Sequence, residues 1–196
     1  MGSFLEQKEK YKMALSMVDH MVMAAAKSDC KITVDGKIDE PCWSKAKPVD
    51  MVVIEDGIKP MVNTFVRVIY DDRYIYAFFQ CEEPEIGRLR TVATPENLGI
   101  LWKDDEVEVF LDPEGKRRNF FQILINAAGL VQDIKRTGGF VDEGWESGVK
   151  TATGRYEKGW TVEMAIPFSS LGTTMPEDGS SWIANFCRGR ALVDPK

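Results

Sequence analysis

Over most of this chain apolar and polar positions alternate in short runs, the period-two pattern of strands that bury one face. Val66, Val68 and Tyr70 alternate with Phe65, Arg67 and Ile69. After the turn Asp71-Asp72-Arg73, Ile75, Ala77, Phe79 and Cys81 alternate with Tyr74, Tyr76, Phe78 and Gln80. That pair predicts a β-hairpin. Further strands are predicted over 106–112, 120–126, 130–135, 149–153, 160–166 and 182–188, with turn signals such as Pro113-Glu114-Gly115, Ala127-Ala128-Gly129 and Gly138-Gly139 between them. Many short strands without alternating helices predict an all-β fold, an antiparallel β-sandwich, rather than a parallel α/β sheet.

The start of the chain has a different period. Phe4, Tyr11, Leu15, Val18, Val22 and Ala25 recur at spacings of three, four or seven, with Met13, Met17 and Met21 in a second row. This predicts an N-terminal amphipathic helix over 4–26, whose broad apolar face serves packing. The expected division is therefore a helix or linker from a preceding domain over 1–28 and a β-sandwich over 29–196.

Alternation also assigns faces. In the 106–112 run, Val107, Val109 and Leu111 point one way and Glu106, Glu108 and Phe110 the other. In 120–126, Phe121, Ile123 and Ile125 oppose Phe120, Gln122, Leu124 and Asn126. If these strands pair, Glu108, Gln122 and Asn126 share a face that mixes polar groups with bulky apolar neighbours, a composition suited to a shallow ligand surface.

Charge narrows the function classes. The chain carries 25 basic and 31 acidic residues, a net charge of −6, and its basic residues are scattered among acids, so no nucleic-acid partner is expected. The densest basic run, Lys116-Arg117-Arg118, follows a Pro-Glu-Gly turn and reads as solvated. No apolar run reaches membrane-spanning length, so no membrane partner is expected. Nor does a leader-like segment stand at the start, where Met1-Gly2-Ser3 reads as an added beginning.

Candidate chemistry is sparse. The one histidine, His20, lies in the predicted helix, away from any Ser-His-Asp arrangement. It also makes the chain a poor haem protein. Phosphate-cradling glycine loops are absent, and no carboxylate pair stands out for glycoside hydrolysis. This chain on its own is therefore not expected to be an enzyme, nor to hold an organic cofactor. Cys81 and Cys187 sit in apolar runs where buried free thiols are common. Cys30 and Cys42 flank a turn-rich segment, and their pairing is left open.

Four blocks carry a resemblance. They are Val34-Asp35-Gly36-Lys37-Ile38-Asp39-Glu40-Pro41-Cys42-Trp43, the hairpin from Val66 to Tyr76, Trp102-Lys103-Asp104-Asp105-Glu106-Val107-Glu108-Val109-Phe110-Leu111-Asp112, and Gly159 through Phe168. In this order, over roughly residues 31–190, they resemble the family 9 carbohydrate-binding modules. The resemblance implies a β-sandwich without catalytic activity, an extracellular or periplasmic location, other domains of a parent protein as partners, and an oligosaccharide or polysaccharide ligand. It also implies structural calcium. In sugar-binding members two tryptophans grip a terminal sugar whose apolar C–H face lies on the ring, while carboxylate and amide groups meet the hydroxyls. Trp102 is similar to the first gripping tryptophan and Glu108 to the carboxylate, with Gln122 and Asn126 beside it. An arginine used by sugar binders falls at Leu124, and an amide falls at Gly189. The second tryptophan belongs beyond the last matching strand, and Trp145 is the substitute if its loop reaches that end. Trp43 and Trp160 are expected in the core. An alternative reading is a structural or interaction sandwich that has lost the sugar site; a buried Trp102, or Leu124 filling the pocket, would favour it.

Overall fold

The computed structural model describes residues 22–53 and 57–191. Among the described residues, eleven strands form two sheets. The first runs in the order β1 (Ala26–Lys27), β3 (Thr64–Tyr70), β4 (Tyr74–Glu82), β10 (Gly159–Pro167), β9 (Lys150–Tyr156), with the short β2 (Val49–Asp50) also paired to β3. The second runs β11 (Ile183–Gly189), β5 (Glu106–Asp112), β6 (Asn119–Asn126), β7 (Val131–Thr137), β8 (Phe140–Asp142). Every pairing is antiparallel except β1 with β3. The sandwich expected from alternation is the observed architecture.

The core lies between the sheets, filled by the inward residues the period-two pattern selects. Val66, Val68, Ala77, Phe79, Val162 and Met164 of one sheet meet Val107, Val109, Leu111, Ile123 and Ile125 of the other. Each valine, leucine, isoleucine, phenylalanine or methionine among them, when fully buried, stabilises the fold by about 1.5–3 kcal/mol. Trp160 is part of this core and Trp43 is buried in a second one, as expected.

That second core covers the outer face of the first sheet. Ile32, Cys42, Trp43 and Ala46 pack on Ile69, Tyr76, Phe78 and Ala165. The Asp35-Gly36 turn is wedged against the sheet. Glu163 Oε2 accepts from the backbone N–H groups of Asp35 (2.9 Å) and Gly36 (3.0 Å), and Thr161 Oγ1 donates to the Gly36 carbonyl at 2.6 Å. Gly36 has φ +82°, and a Cβ there would stand 2.8 Å from the Thr153 carbonyl carbon, so no other residue fits. The signature turn is thus a packing device.

Cys30 and Cys42 form a disulfide, with Cα atoms 5.8 Å apart. It closes the covering segment over a short loop. Replacing both cysteines with serine is expected to lower the unfolding free energy by about 2 kcal/mol, through the chain entropy returned to the unfolded state. Urea unfolding of the two proteins side by side checks this; coincident curves would show that the non-covalent packing alone holds the segment.

One expectation needs correction. The predicted helix over 4–26 lies largely outside the described residues, but 22–26 are described, and they are not helical. Ala26 and Lys27 form a strand that pairs with Ile69 and Tyr70, so the sandwich begins within the segment read as helix or linker. Unpaired backbone N–H and C=O groups at the β3 edge outweigh the local helical spacing.

Candidate functional site

The outer face of the second sheet brings together two of the predicted ligand residues, Glu108 and Gln122. Pairing of β5 with β6 sets Glu106 opposite Asn126, Glu108 opposite Leu124 and Phe110 opposite Gln122. Pairing of β11 with β5 adds Cys187 beside Glu108 and Asn185 beside Phe110. Gln122 Nε2 donates to Glu108 Oε2 at 2.7 Å, joining two of the predicted residues in one dyad. Burial pushes the Glu108 carboxyl above its usual value, and the Gln122 hydrogen bond pulls it back part-way. Further along the same face, the Phe110 and Phe120 rings lie 6.0 Å apart and the Arg136 guanidinium stands 5.8 Å from the Phe120 centroid. The face is half-buried and mixed in polarity, as its alternation predicted.

Trp102 reaches the surface from a 3₁₀ segment, Pro95–Lys103, that lies across this sheet. Leu101 is buried against Leu124 and Ile134, with Leu98 and Leu130 around them. That apolar anchor fixes the segment and sends the next side chain outward. Trp102 is 61% exposed, its Nε1–H donates to the Gly99 carbonyl at 3.1 Å, and Lys103 Nζ stands 5.1 Å from its ring centroid. Of the chain's five tryptophans, all among the described residues, only Trp102 stands largely in solvent. A cleft of about 340 Å³ opens beside it, lined also by Arg90, Lys103, Asp104, Gly189, Arg190 and Ala191.

The remaining predicted residues lie elsewhere. Asn126 is fully buried, its Nδ2 donating to Asp104 Oδ2 (2.9 Å) while its Oδ1 accepts from the backbone of Ala128 (3.1 Å) and Leu130 (2.9 Å). It shapes the β6–β7 turn and holds Asp104 in place behind the cleft. Trp145 lies tilted against Phe121, with centroids 4.9 Å apart, and packs against the inter-sheet core. Phe121 sits five positions from Asn126 along β6, roughly 17 Å away. The Trp145 loop therefore does not reach the Trp102 end, and the two tryptophans do not form a pair.

Residues not singled out from the sequence build the cleft wall. Asp104 accepts from the backbone N–H groups of Val92 (2.7 Å) and Ala93 (3.0 Å), and Asp105 from Arg90 (2.8 Å) and Ala191 (3.2 Å). Glu106 is buried with one carboxyl oxygen unpartnered, and a Cβ at Gly189 would stand 2.2 Å from its other oxygen. Glycine at 189 thus makes room for the Glu106 carboxyl. The signal was present in the sequence, since Glu106 shares the parity of Glu108, but its burial depends on β11, more than seventy positions away. Calcium does not fit these acids. Among the described residues no group of three or more acidic, cysteine or histidine side chains converges as a cation cage, and the Asp104 and Asp105 carboxylates face N–H donors.

Residues 34–184 match the family described as carbohydrate family 9 binding domain-like. The chain belongs to this family. An exoglucanase XynX of Acetivibrio thermocellus is 25% identical over 142 residues, covering 70% of this chain and 12% of the relative. An endo-1,4-beta-xylanase A of Thermoanaerobacterium saccharolyticum is 24% identical over 139 residues, covering 70% and 11%. The chain thus spans only about an eighth of the length of these relatives. Among solved structures, a family 9 carbohydrate-binding module of Caldicellulosiruptor kristjanssonii in complex with cellotriose superposes with a TM-score of 0.61 at 18% identity, over 83% of this chain and 73% of that one. That likeness is one of fold, over the stated share of each chain.

Proposed function

We propose that this family 9 domain is a non-catalytic carbohydrate-binding module that holds an oligosaccharide chain against Trp102. The observation that carries the reading is the exposed, pinned indole. An aromatic ring held by a backbone hydrogen bond and flanked by Lys103 loses little freedom on binding, and one ring face remains for the C–H surface of a sugar. The Glu108–Gln122 dyad, on the same outer side of the sheet, supplies the acceptors and donors that hydroxyls need. The structural relative bound to cellotriose points to β-linked glucose chains as the first ligand to try. Two polysaccharide-degrading relatives, each many times longer than the matched region, support a place within a larger polysaccharide-processing protein. The Cys30–Cys42 disulfide supports an extracellular or periplasmic setting, where such bonds persist. No helix among the described residues is long and apolar enough to cross a membrane.

One observation favours the alternative of a structural sandwich that no longer binds sugar. Leu124, where sugar binders carry an arginine, is buried under Leu101 and offers no polar group. Titration with cello-oligosaccharides, followed by tryptophan fluorescence, separates the readings. Saturable change is expected, and Trp102→Ala is expected to weaken binding about tenfold or more, the scale of losing one well-packed aromatic contact. No saturable response from the parent protein, or an unchanged response in the variant, would favour the structural sandwich.

A further inference from the structure

The first sheet carries a second cavity, on the face away from Trp102. It measures about 320 Å³ and opens between the covering segment and the β3–β4 turn, with Lys31, Arg73, Lys150, Tyr74, Tyr76 and Asp71 in its lining. That volume is at the small end of ligand pockets and suits one monosaccharide unit.

Its lining is cationic within an acidic chain. Among the described residues some lysines, Lys27, Lys37, Lys45 and Lys116, stand within ion-pair distance of a carboxylate, and others do not. Lys31, Arg73 and Lys150 form no such pair there. Two of them are placed instead by an uncharged partner: Lys150 Nζ lies 4.9 Å and Arg73 Cζ 5.6 Å from the Tyr74 ring centroid. A ring quadrupole positions a cation without cancelling its charge. The one acid in the lining, Asp71, is already engaged. Its Oδ1 accepts from the backbone N–H groups of Arg73 and Tyr74, both at 2.7 Å, and its Oδ2 from the Tyr76 hydroxyl at 2.7 Å. Three cations against one acid leave the cavity with two net positive charges, within a protein of net charge −6.

We infer that this cavity binds the carboxylate of an acidic monosaccharide unit, a uronic acid. The Arg73 guanidinium matches a planar carboxylate with its paired N–H groups, and Lys31 and Lys150 add charge from the sides. The half-buried Tyr74 supplies aromatic surface for the sugar ring, while the buried Tyr76 holds Asp71 through its hydroxyl. This site is independent of Trp102 and of the function proposed for it.

The test is calorimetric titration of the whole chain with glucuronate, glucose and inorganic phosphate in low salt. Glucuronate is expected to bind saturably in the millimolar range and to weaken as salt is added, while glucose gives no saturable heat at this cavity. R73Q/K150Q is expected to weaken glucuronate binding about tenfold or more, with its circular dichroism spectrum unchanged. K150R is expected to retain binding, and Trp102→Ala to leave it unaltered. The inference is overturned if glucuronate does not saturate, if R73Q/K150Q binds it as the parent does, or if inorganic phosphate binds as tightly as glucuronate. Failure of cello-oligosaccharide binding at Trp102 leaves these arms readable on their own.

Discussion

Glu83→Ala is expected to lower the unfolding free energy by about 3–5 kcal/mol, the range for breaking a buried ion pair by removing one partner. The Glu83 side chain is wholly buried at the end of β4. Its carboxylate takes Arg188 Nη2 at 3.3 Å and Arg190 through Nε at 2.7 Å and Nη2 at 2.9 Å, and accepts the Glu85 N–H at 3.0 Å. Arg188, itself almost fully buried, also donates to Thr64 Oγ1 (3.0 Å) and the Glu82 carbonyl (2.9 Å). Without Glu83 that guanidinium would remain in the interior with no counter-charge. The same change would free Arg190, which lines the Trp102 cleft, so oligosaccharide affinity is expected to fall with stability. Urea unfolding reads the first effect, with Glu83→Gln intermediate because it keeps shape but loses charge. A Glu83→Ala protein within about 0.5 kcal/mol of the parent, the scatter of ordinary surface substitutions, would show that Arg188 is hydrated and that the triad adds little.

Glu106 acts in the opposite direction. Burial drives its carboxyl up to about 9, with the nearby Glu108 and Asp105 and Asp104 charges adding to the effect against the Gly189 N–H. Below the ordinary value of 4.5 the folded and unfolded chains are both protonated at this site, and it contributes no pH dependence. Above that value the unfolded chain releases the proton while the folded chain keeps it. Stability therefore falls as pH rises, by at most about 1.4 kcal/mol per pH unit, until the folded group titrates near pH 9. Glu163, pushed up to about 7 by burial against the pull of the Asp35 and Gly36 N–H groups, adds the same sign over a narrower window. Glu106→Gln is expected to remove the larger share of the slope and to be more stable than the parent at pH 8. Unfolding curves at pH 5, 6.5 and 8 check it, and parallel pH profiles for the two proteins would show that Glu106 is ionised in the folded state.

How far the sequence could be read depended on whether a residue's role was local. The β5 and β6 faces were legible because each inward position, from Val107 to Ile125, follows from parity alone. Trp43 and Trp160 were legible as core from residue type, as large aromatic anchors. Asn126 shared the parity of Gln122, yet the β6–β7 turn and Asp104 enclose it, and parity does not report what lies above a strand. Trp145 required knowing which end of the sandwich its loop serves. The segment that seats Trp102, Pro95–Lys103, has no strong period and is held by Leu101 on Leu124 and Ile134. The cationic cavity was not visible either, since Lys31, Arg73 and Lys150 come from three distant stretches. β1 was misread because a two-residue strand carries no pattern of its own.

The short parallel pairing of β1 and the disulfide just after it decide how the domain would respond to pulling from its N-terminal side. Tension entering there would first peel Ala26 and Lys27 from β3, a join of few hydrogen bonds. At Cys30 the load would pass through the sulfur bridge to Cys42 and on to the buried Trp43, bypassing residues 31–41. The Gly36 wedge and the Lys31 rim of the cationic cavity would then bear no force until the second core itself gave way.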